Sequence, residues 1–331
     1  MHHSELSPPQ STQSSCPFCR ETRSHKWSDA RSEDGALYPA RECQNCGTTF
    51  LCPPPSDAQL AQAYATNYYG AGETKFNPFI EHIRAISAGF RTMKLAGHLK
   101  KDARILDVGC GDGRLLGNFR QAGFSNLHGI ERPGRAADRA SKIPGIRLHL
   151  GTLESVDLPS ATFDLITLVH VYEHLPAPRE SLDQLTRLLK PGGRLFLSFP
   201  NISSWQARLT GAAWFHLDPP RHLTLVPPQT VIAYLENHHF KLLAEHHLCL
   251  EQNTYGWIQS ALNRCDSRRN FLYERLKRNR HYLPTRGTGI LLFHALLGGL
   301  LLLPSLIADG CSALARAGAT VELMFEKPKT N

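Results

Sequence analysis

Arg104-Ile105-Leu106-Asp107-Val108 is a short apolar run that passes directly into Gly109-Cys110-Gly111-Asp112-Gly113, after which Leu115, Leu116 and Phe119 fall at helical spacing. The stretch reads as strand, glycine turn, helix, and glycines at such a junction let backbone approach a ligand closely. Arg114 stands where a dinucleotide fingerprint would carry its third glycine, so a pyrophosphate is not the expected occupant. Asp107, at the end of the strand, suits a cationic group such as an amine. Downstream, Asn126-Leu127-His128-Gly129-Ile130 reads as the next strand and ends in Glu131. An acid at that tip is placed to accept both hydroxyls of a ribose; the same carboxylate could instead cap a helix.

The alternation continues through Phe163-Asp164-Leu165-Ile166 and Leu189-Lys190-Pro191-Gly192-Gly193-Arg194-Leu195. With Asp107–Gly113 and Glu131, these segments resemble the ordered motifs of class I S-adenosylmethionine-dependent methyltransferases. The resemblance is dense over about residues 100 to 200 and looser beyond, where related bacterial enzymes also carry an N-terminal zinc ribbon. It implies an α/β fold: a Rossmann-like sheet of seven strands, the last antiparallel. It also implies that Asp107, Gly109, Cys110, Gly111 and Gly113 hold the methionine moiety and that Glu131 holds the ribose. The 152–154 segment, centred on Leu153, would flank the adenine, although Thr152 stands where the family often has an acid.

His170-Val171-Tyr172-Glu173-His174-Leu175 follows the fourth strand, where this family places groups near the reacting methyl. His170 is a catalytic candidate expected also to touch cofactor and acceptor, and His174 is either a catalytic residue or a structural one. An acceptor that is already nucleophilic needs mainly positioning. A hydroxyl acceptor would need a general base of near-neutral pKa, which favours histidine. Asp218-Pro219-Pro220-Arg221-His222-Leu223 is a second polar constellation, in which two prolines fix an extended approach. Arg221 there could clamp a carboxylate or phosphate of the acceptor, with His222 as base or acceptor contact; the alternative is a rigid turn. Tyr64, Tyr68 and Tyr69 are either a cover over the cofactor or ordinary core aromatics.

Toward the N-terminus, Cys16-Pro-Phe-Cys19 and Cys43-Gln-Asn-Cys46-Gly47 are separated by 23 residues. Each CxxC turn sets two thiolates on one side of a knuckle, and two knuckles make a tetrahedral sulfur site suited to structural zinc. Gly47 fits a knuckle position of positive φ. Cys52 reads as a bystander. Residues 1 to 15, rich in Ser, Pro and Gln, read as a disordered tail without an apolar signal segment, and metal-type cysteines without a signal point to the cytoplasm. The expected organisation is a ribbon over 16–55, a helical linker or cofactor lid over 56–100, the catalytic domain over 101–251 and 319–327, and an insertion over 252–318.

The net charge of +8 superficially suggests a nucleic-acid partner, but residues 264 to 286 hold eight Lys/Arg against Asp266 and Glu274. That window carries six of the eight net charges, so basicity is local. Beside it, Gly287 to Ala308 is 22 residues without a Lys, Arg, Asp or Glu. The length would span a bilayer, yet the chain must return to the same sheet for the final strand, Ala319 to Lys327. A helical hairpin turning near Pro304 or Gly298-Gly299 satisfies both, dipping into one leaflet with the basic run against anionic headgroups. An apolar hairpin buried in the core or a dimer interface is the alternative. A mean hydropathy of −0.29 excludes a polytopic membrane protein.

The composite expectation is a cytoplasmic methyltransferase peripheral or monotopic on the inner face of a membrane. Its acceptor would be a lipid-linked glycan, another envelope precursor or a prenylated ring. Two rivals stand beside it: an RNA or protein methyltransferase gripping its polymer through the ribbon and basic run, and a non-catalytic assembly module.

Overall fold

The computed structural model describes residues 15–65, 78–249, 252–266, 269–277 and 288–329. Nearly all of the expected tail lies outside these residues, as do Tyr68 and Tyr69. In chain order the strands are β1 (Ser24–Arg31), β2 (Leu37–Cys43), β3 (Thr49–Leu51), β4 (Arg104–Val108), β5 (Asn126–Glu131), β6 (Ile146–Leu150), β7 (Phe163–Val169), β8 (Leu189–Pro200), β9 (Thr224–Leu225), β10 (Lys241–His246) and β11 (Thr320–Glu326). The helices are α1 (Asp57–Ala65), α2 (Pro78–Ala96), α3 (Arg114–Gln121), α4 (Arg135–Ala140), α5 (Pro178–Leu188), α6 (Trp205–Thr210), α7 (Pro228–Asn237), α8 (Asn253–Cys265), α9 (Phe271–Leu276) and α10 (Thr288–Leu314).

The main sheet has seven strands in the order β10-β11-β8-β7-β4-β5-β6, and β11 is antiparallel to both its neighbours. Strands with alternate residues on opposite faces explain its two cores. Leu106, Ile166, Leu197 and Leu323 belong to one cluster, while Ile105, Leu165 and Phe196 belong to the other. A sheet covered on both faces is the normal condition of parallel strands. The chain runs outward from β4 to β5 and β6, then returns to β7 on the other side of β4. The reversal therefore lies between β4 and β7, and a crevice opens at the carboxyl ends of strands where such a reversal occurs. The glycine turn leaves β4 at that point.

The cysteine-bearing segment is not a free-standing appendage. Its sheet, β1-β2-β3, takes a fourth strand from β9, with Thr49 opposite Leu225 and Phe50 opposite Thr224. Phe18, Cys43 and Phe50 join the same apolar cluster as Leu182, Val226 and Val231. The Thr230 hydroxyl donates to the Cys46 carbonyl at 2.8 Å, and Arg20 pairs with Glu180 on α5. Few apolar residues were available to this segment, and it uses the core of the larger domain. Downstream, α1 begins at a reciprocal cap: the Ser56 hydroxyl accepts from the Gln59 N–H, and the Gln59 side chain accepts from the Ser56 N–H.

The insertion between β10 and β11 differs from the expected hairpin. Thr288–Leu314 is one helix that runs through both Gly298-Gly299 and Pro304, and no turn interrupts it. Its antiparallel partner is α8. His294 Nε2 lies 3.0 Å from Asp266 Oδ2 just beyond the end of α8, while Asp309 accepts from Asn253 (3.0 Å) and Thr254 (3.1 Å) at its start. These contacts lie 15 residues apart, so about 22 Å of helix is laid along the protein. The polarity of α10 is inverted. His294, Ser305, Asp309 and Ser312 are buried, whereas Leu292, Leu296, Leu300, Leu303 and Ile307 are exposed, Leu300 by 74%. Glycine and proline mark breaks when a helix must stand alone; here α8 supports the helix at both ends.

Candidate functional site

Asp107 lies at the mouth of the crevice, 4% exposed, opposite Thr167 of β7, whose hydroxyl donates to Asp107 Oδ1 at 2.6 Å. Burial pushes its carboxyl up to about 7, against the hydrogen bond from Thr167 and reinforced by nearby Glu131. A buried acid with a single hydroxyl donor is well matched to an incoming ammonium.

The turn that follows is held to β5 by Gly109 N–H and Cys110 N–H, which both donate to the Ile130 carbonyl. Gly109 adopts φ +67°, and a Cβ there would stand 2.4 Å from Val171 Cγ2, so only glycine lets the turn meet the segment after β7. Gly111 adopts φ +58° with open space where its Cβ would be. Its N–H donates to Glu131 Oε2 at 2.7 Å, and Arg132 N–H donates to Oε1 at 3.1 Å. Glu131 is thus clamped by backbone, with lone pairs left for further donors. Burial raises its pKa and those two N–H groups oppose the rise. It does not cap α4, whose N-cap is Gly134 without a side-chain bond. Gly113 adopts φ +78° at the N-cap of α3.

Two expected cofactor contacts turn inward. Cys110 packs against Gly129 in the core, where a Cβ on Gly129 would come within 2.7 Å of its sulfur. Leu153 is a core residue, and its carbonyl accepts from Gln184.

After β7 the chain places His170 in the left-handed region, φ +54°. Its Nδ1 is 3.5 Å from Glu173 Oε1, and its buried Nε2 has no hydrogen-bond partner. Tyr172–His174 forms a single 3₁₀ turn joined to the Asp218–Leu223 loop. Leu223 N–H donates to the Glu173 carbonyl at 2.9 Å, and His174 Nδ1 donates to the Arg221 carbonyl at 2.9 Å. His222 Nδ1 donates to the His216 carbonyl at 2.6 Å, and the His174 and His222 rings meet edge to face at 4.8 Å. Burial lowers the pKa of His174 to about 4 and of His216 to about 3. Tyr64 of α1 reaches the same place, 3.4 Å from His174 Nδ1, with Arg132 over its ring. The predicted histidines are therefore brought together, and within reach of the glycine turn through Val171.

Arg221 must be corrected. It is 4% exposed, its guanidinium donates to both carboxylate oxygens of Asp218 (2.9 and 2.6 Å), and it pairs with Glu33 at 2.9 Å. Two acids neutralise it, so it braces the loop against the ribbon and has no charge to spare for an acceptor. Burial opposes ionisation of Asp218, but Arg221 holds it well below the usual carboxylate range. The residue that sequence reasoning passed over is Glu173, 2% exposed and placed among His170, His174 and His222. An acid flanked by histidines within one short motif was the available signal.

The four ribbon cysteines converge as expected. Cys16 Sγ is 3.6 Å from Cys46 Sγ, Cys19 Sγ is 3.5 Å from Cys43 Sγ, and all four sulfurs lie within 4.8 Å of one another. Tetrahedral Zn–S bonds of about 2.3 Å put sulfurs about 3.8 Å apart, so the donor set fits zinc. Gly47 has φ +70°, as the knuckle requires.

A methyltransferase-domain family model matches residues 80–245. Among curated proteins, the ubiquinone biosynthesis O-methyltransferase of Xanthomonas oryzae pv. oryzae (strain PXO99A) is 28% identical over 160 residues, covering 42% of this chain. That of Klebsiella pneumoniae (strain 342) is 27% identical, covering 51% of this chain and 72% of its own. The chain spans 63% of the length of the Xanthomonas relative. Among solved structures, a SAM-dependent methyltransferase from Archaeoglobus fulgidus aligns with a TM-score of 0.46 at 18% identity, over 75% of this chain and 98% of that one. The matched span includes β4, the glycine turn and Glu131, and the chain belongs to the class I S-adenosylmethionine-dependent methyltransferases.

Proposed function

We propose that the protein methylates a hydroxyl of a small-molecule acceptor held at a membrane surface. When bound, S-adenosylmethionine supplies an electrophilic methyl on sulfonium sulfur. Asp107 would hold the ammonium and Glu131 the ribose hydroxyls, with the Gly109–Gly113 backbone between them. His170 is the residue best suited to take the acceptor proton. Its Nδ1 faces Glu173, which favours the tautomer with a lone pair on Nε2, and Nε2 is unpartnered. A left-handed, non-glycine backbone is often kept at a functional site. Tyr64 would close over the same cleft. The curated relatives' name supports a hydroxyl acceptor.

One observation carries the membrane part: α10 buries its polar residues and exposes its leucines. It is long and apolar enough to cross a membrane by length and composition, but pinned at His294 and Asp309 it would lie flat in one leaflet. The basic flank is less uniform than its sequence suggests. Arg269 and Lys277 are buried, Arg269 donating to the Ala212 and Trp214 carbonyls and Lys277 pairing with Glu274, while Arg264 and Arg275 are exposed.

The test is label transfer. Purified protein and methyl-labelled S-adenosylmethionine are incubated with cell extract, which is separated into lipid, glycan, protein and nucleic acid. Label in the lipid or lipid-linked fraction, absent with Asp107→Ala, supports the reading. Label in RNA or protein overturns the acceptor and makes the exposed arginines a polymer-binding surface.

A further inference from the structure

We infer that Glu173, His174 and His222 form a site for a divalent transition-metal cation, separate from the four cysteines. The three residues come from two segments locked together by the Leu223–Glu173 backbone hydrogen bond and by the bond from His174 Nδ1 to the Arg221 carbonyl. One donor atom from each lies within 4.8 Å of the other two, and His222 Nε2 stands 3.9 Å from Glu173 Oε1. Ligands bound at about 2.0–2.2 Å to one ion stand roughly 3–4 Å apart.

The second observation is Glu173 itself. It is 2% exposed, and among the described residues its carboxylate has no hydrogen bond of ordinary length, its contacts being His170 Nδ1 at 3.5 Å and His222 Nε2 at 3.9 Å. A buried carboxylate ordinarily gathers donors; this one is faced by imidazoles. Two of them, as neutral rings, can offer a lone pair. His174 Nδ1 and His222 Nδ1 each meet a backbone carbonyl, which can only accept, so in both rings Nε2 keeps its lone pair. Hydrogen bonds of that kind orient metal-binding histidines.

The surroundings agree. His170 Nδ1 is 3.5 Å from Glu173 Oε1, Asp218 Oδ2 is 3.9 Å from His222 Nε2, and His216 Nε2 is buried without a partner. Arg221, on the same loop as His222, is neutralised by Asp218 and Glu33. One carboxylate and two imidazoles suit zinc, manganese, iron or cobalt, and three protein donors leave positions open. An acceptor hydroxyl bound there would be acidified, its proton passing to His170. The cation site does not depend on the acceptor assigned above.

The test uses the full chain with zinc already on its cysteines, titrated with Co2+. Visible absorption and metal analysis after desalting are the readouts. One cobalt per chain is expected beyond the zinc, with weak d–d bands and no thiolate charge-transfer band. Glu173→Gln and His222→Asn should each weaken cobalt binding by about tenfold or more while zinc content and S-adenosylhomocysteine binding persist. No second equivalent, a thiolate band, or unchanged cobalt affinity in both variants would overturn the proposal. The wild-type stoichiometry and spectrum decide the matter even where a variant fails to fold.

Discussion

Thr167 and Asp107 stand in register across β7 and β4, joined by a 2.6 Å hydrogen bond at the point where the sheet reverses its winding. Burial holds this acid at an elevated pKa of about 7, and the bond from Thr167 opposes that rise. Ionising Asp107 costs the ligand-free fold stability. That contribution is complete below its ordinary value of 3.8 and is lost as pH rises through about 7. Cofactor binding has the opposite sense, because only the ionised acid pairs with an ammonium. Affinity for S-adenosylhomocysteine should rise roughly tenfold between about pH 6 and pH 8. Asp107→Asn should bind weakly at both values, and calorimetry at the two pH values distinguishes the profiles.

The ribbon shares β9 and an apolar cluster with the larger domain, so metal loss should be felt beyond the knuckles. Removing zinc with a chelator, or Cys43→Ser, is expected to lower the melting temperature by more than about 10 °C. Metal analysis should find zinc on the four cysteines, and an unchanged melt in metal-free protein would contradict the assignment.

Arg221 is a brace. Arg221→Ala leaves Asp218 and Glu33 buried without their cation and should destabilise the fold by about 3–5 kcal/mol. Denaturant titration measures that loss. Under conditions where the variant is folded, its affinity for acceptor should be little changed; a large rise in KM with unchanged stability would restore the clamp.

Much of this was legible in the sequence. The alternation of apolar strands with glycine turns carried the α/β reading, the resemblance of its motifs implied seven strands with the last antiparallel, and the late segment Ala319–Lys327 supplied that strand, observed at Thr320–Glu326. Charge partnership was not legible. Asp218-Pro219-Pro220-Arg221 looks like a presented cation, but one of its neutralising acids, Glu33, is 188 residues away. The break read at Gly298-Gly299 and Pro304 failed for a related reason. Those residues end helices that lack support, and the support comes from α8, whose Asn253 and Thr254 hold Asp309. Hydropathy also could not show which way the leucines of α10 face.

That direction is testable. Leu300→Glu with Leu303→Glu changes two exposed positions and should leave the melting temperature within about 2 °C. The same pair should abolish flotation with anionic liposomes. Undiminished flotation would shift membrane contact to the exposed arginines, and loss of it on adding salt would confirm that shift.

The central claim is that the crevice between β4 and β7 holds S-adenosylmethionine through Asp107 and Glu131. Calorimetric titration of the wild type, Asp107→Ala and Glu131→Ala with S-adenosylhomocysteine tests it most directly. The account predicts one site per chain in the wild type and a loss of at least about tenfold in affinity in each variant, with the fold retained. A wild type that does not bind, or variants that bind as tightly as it does, would contradict the account.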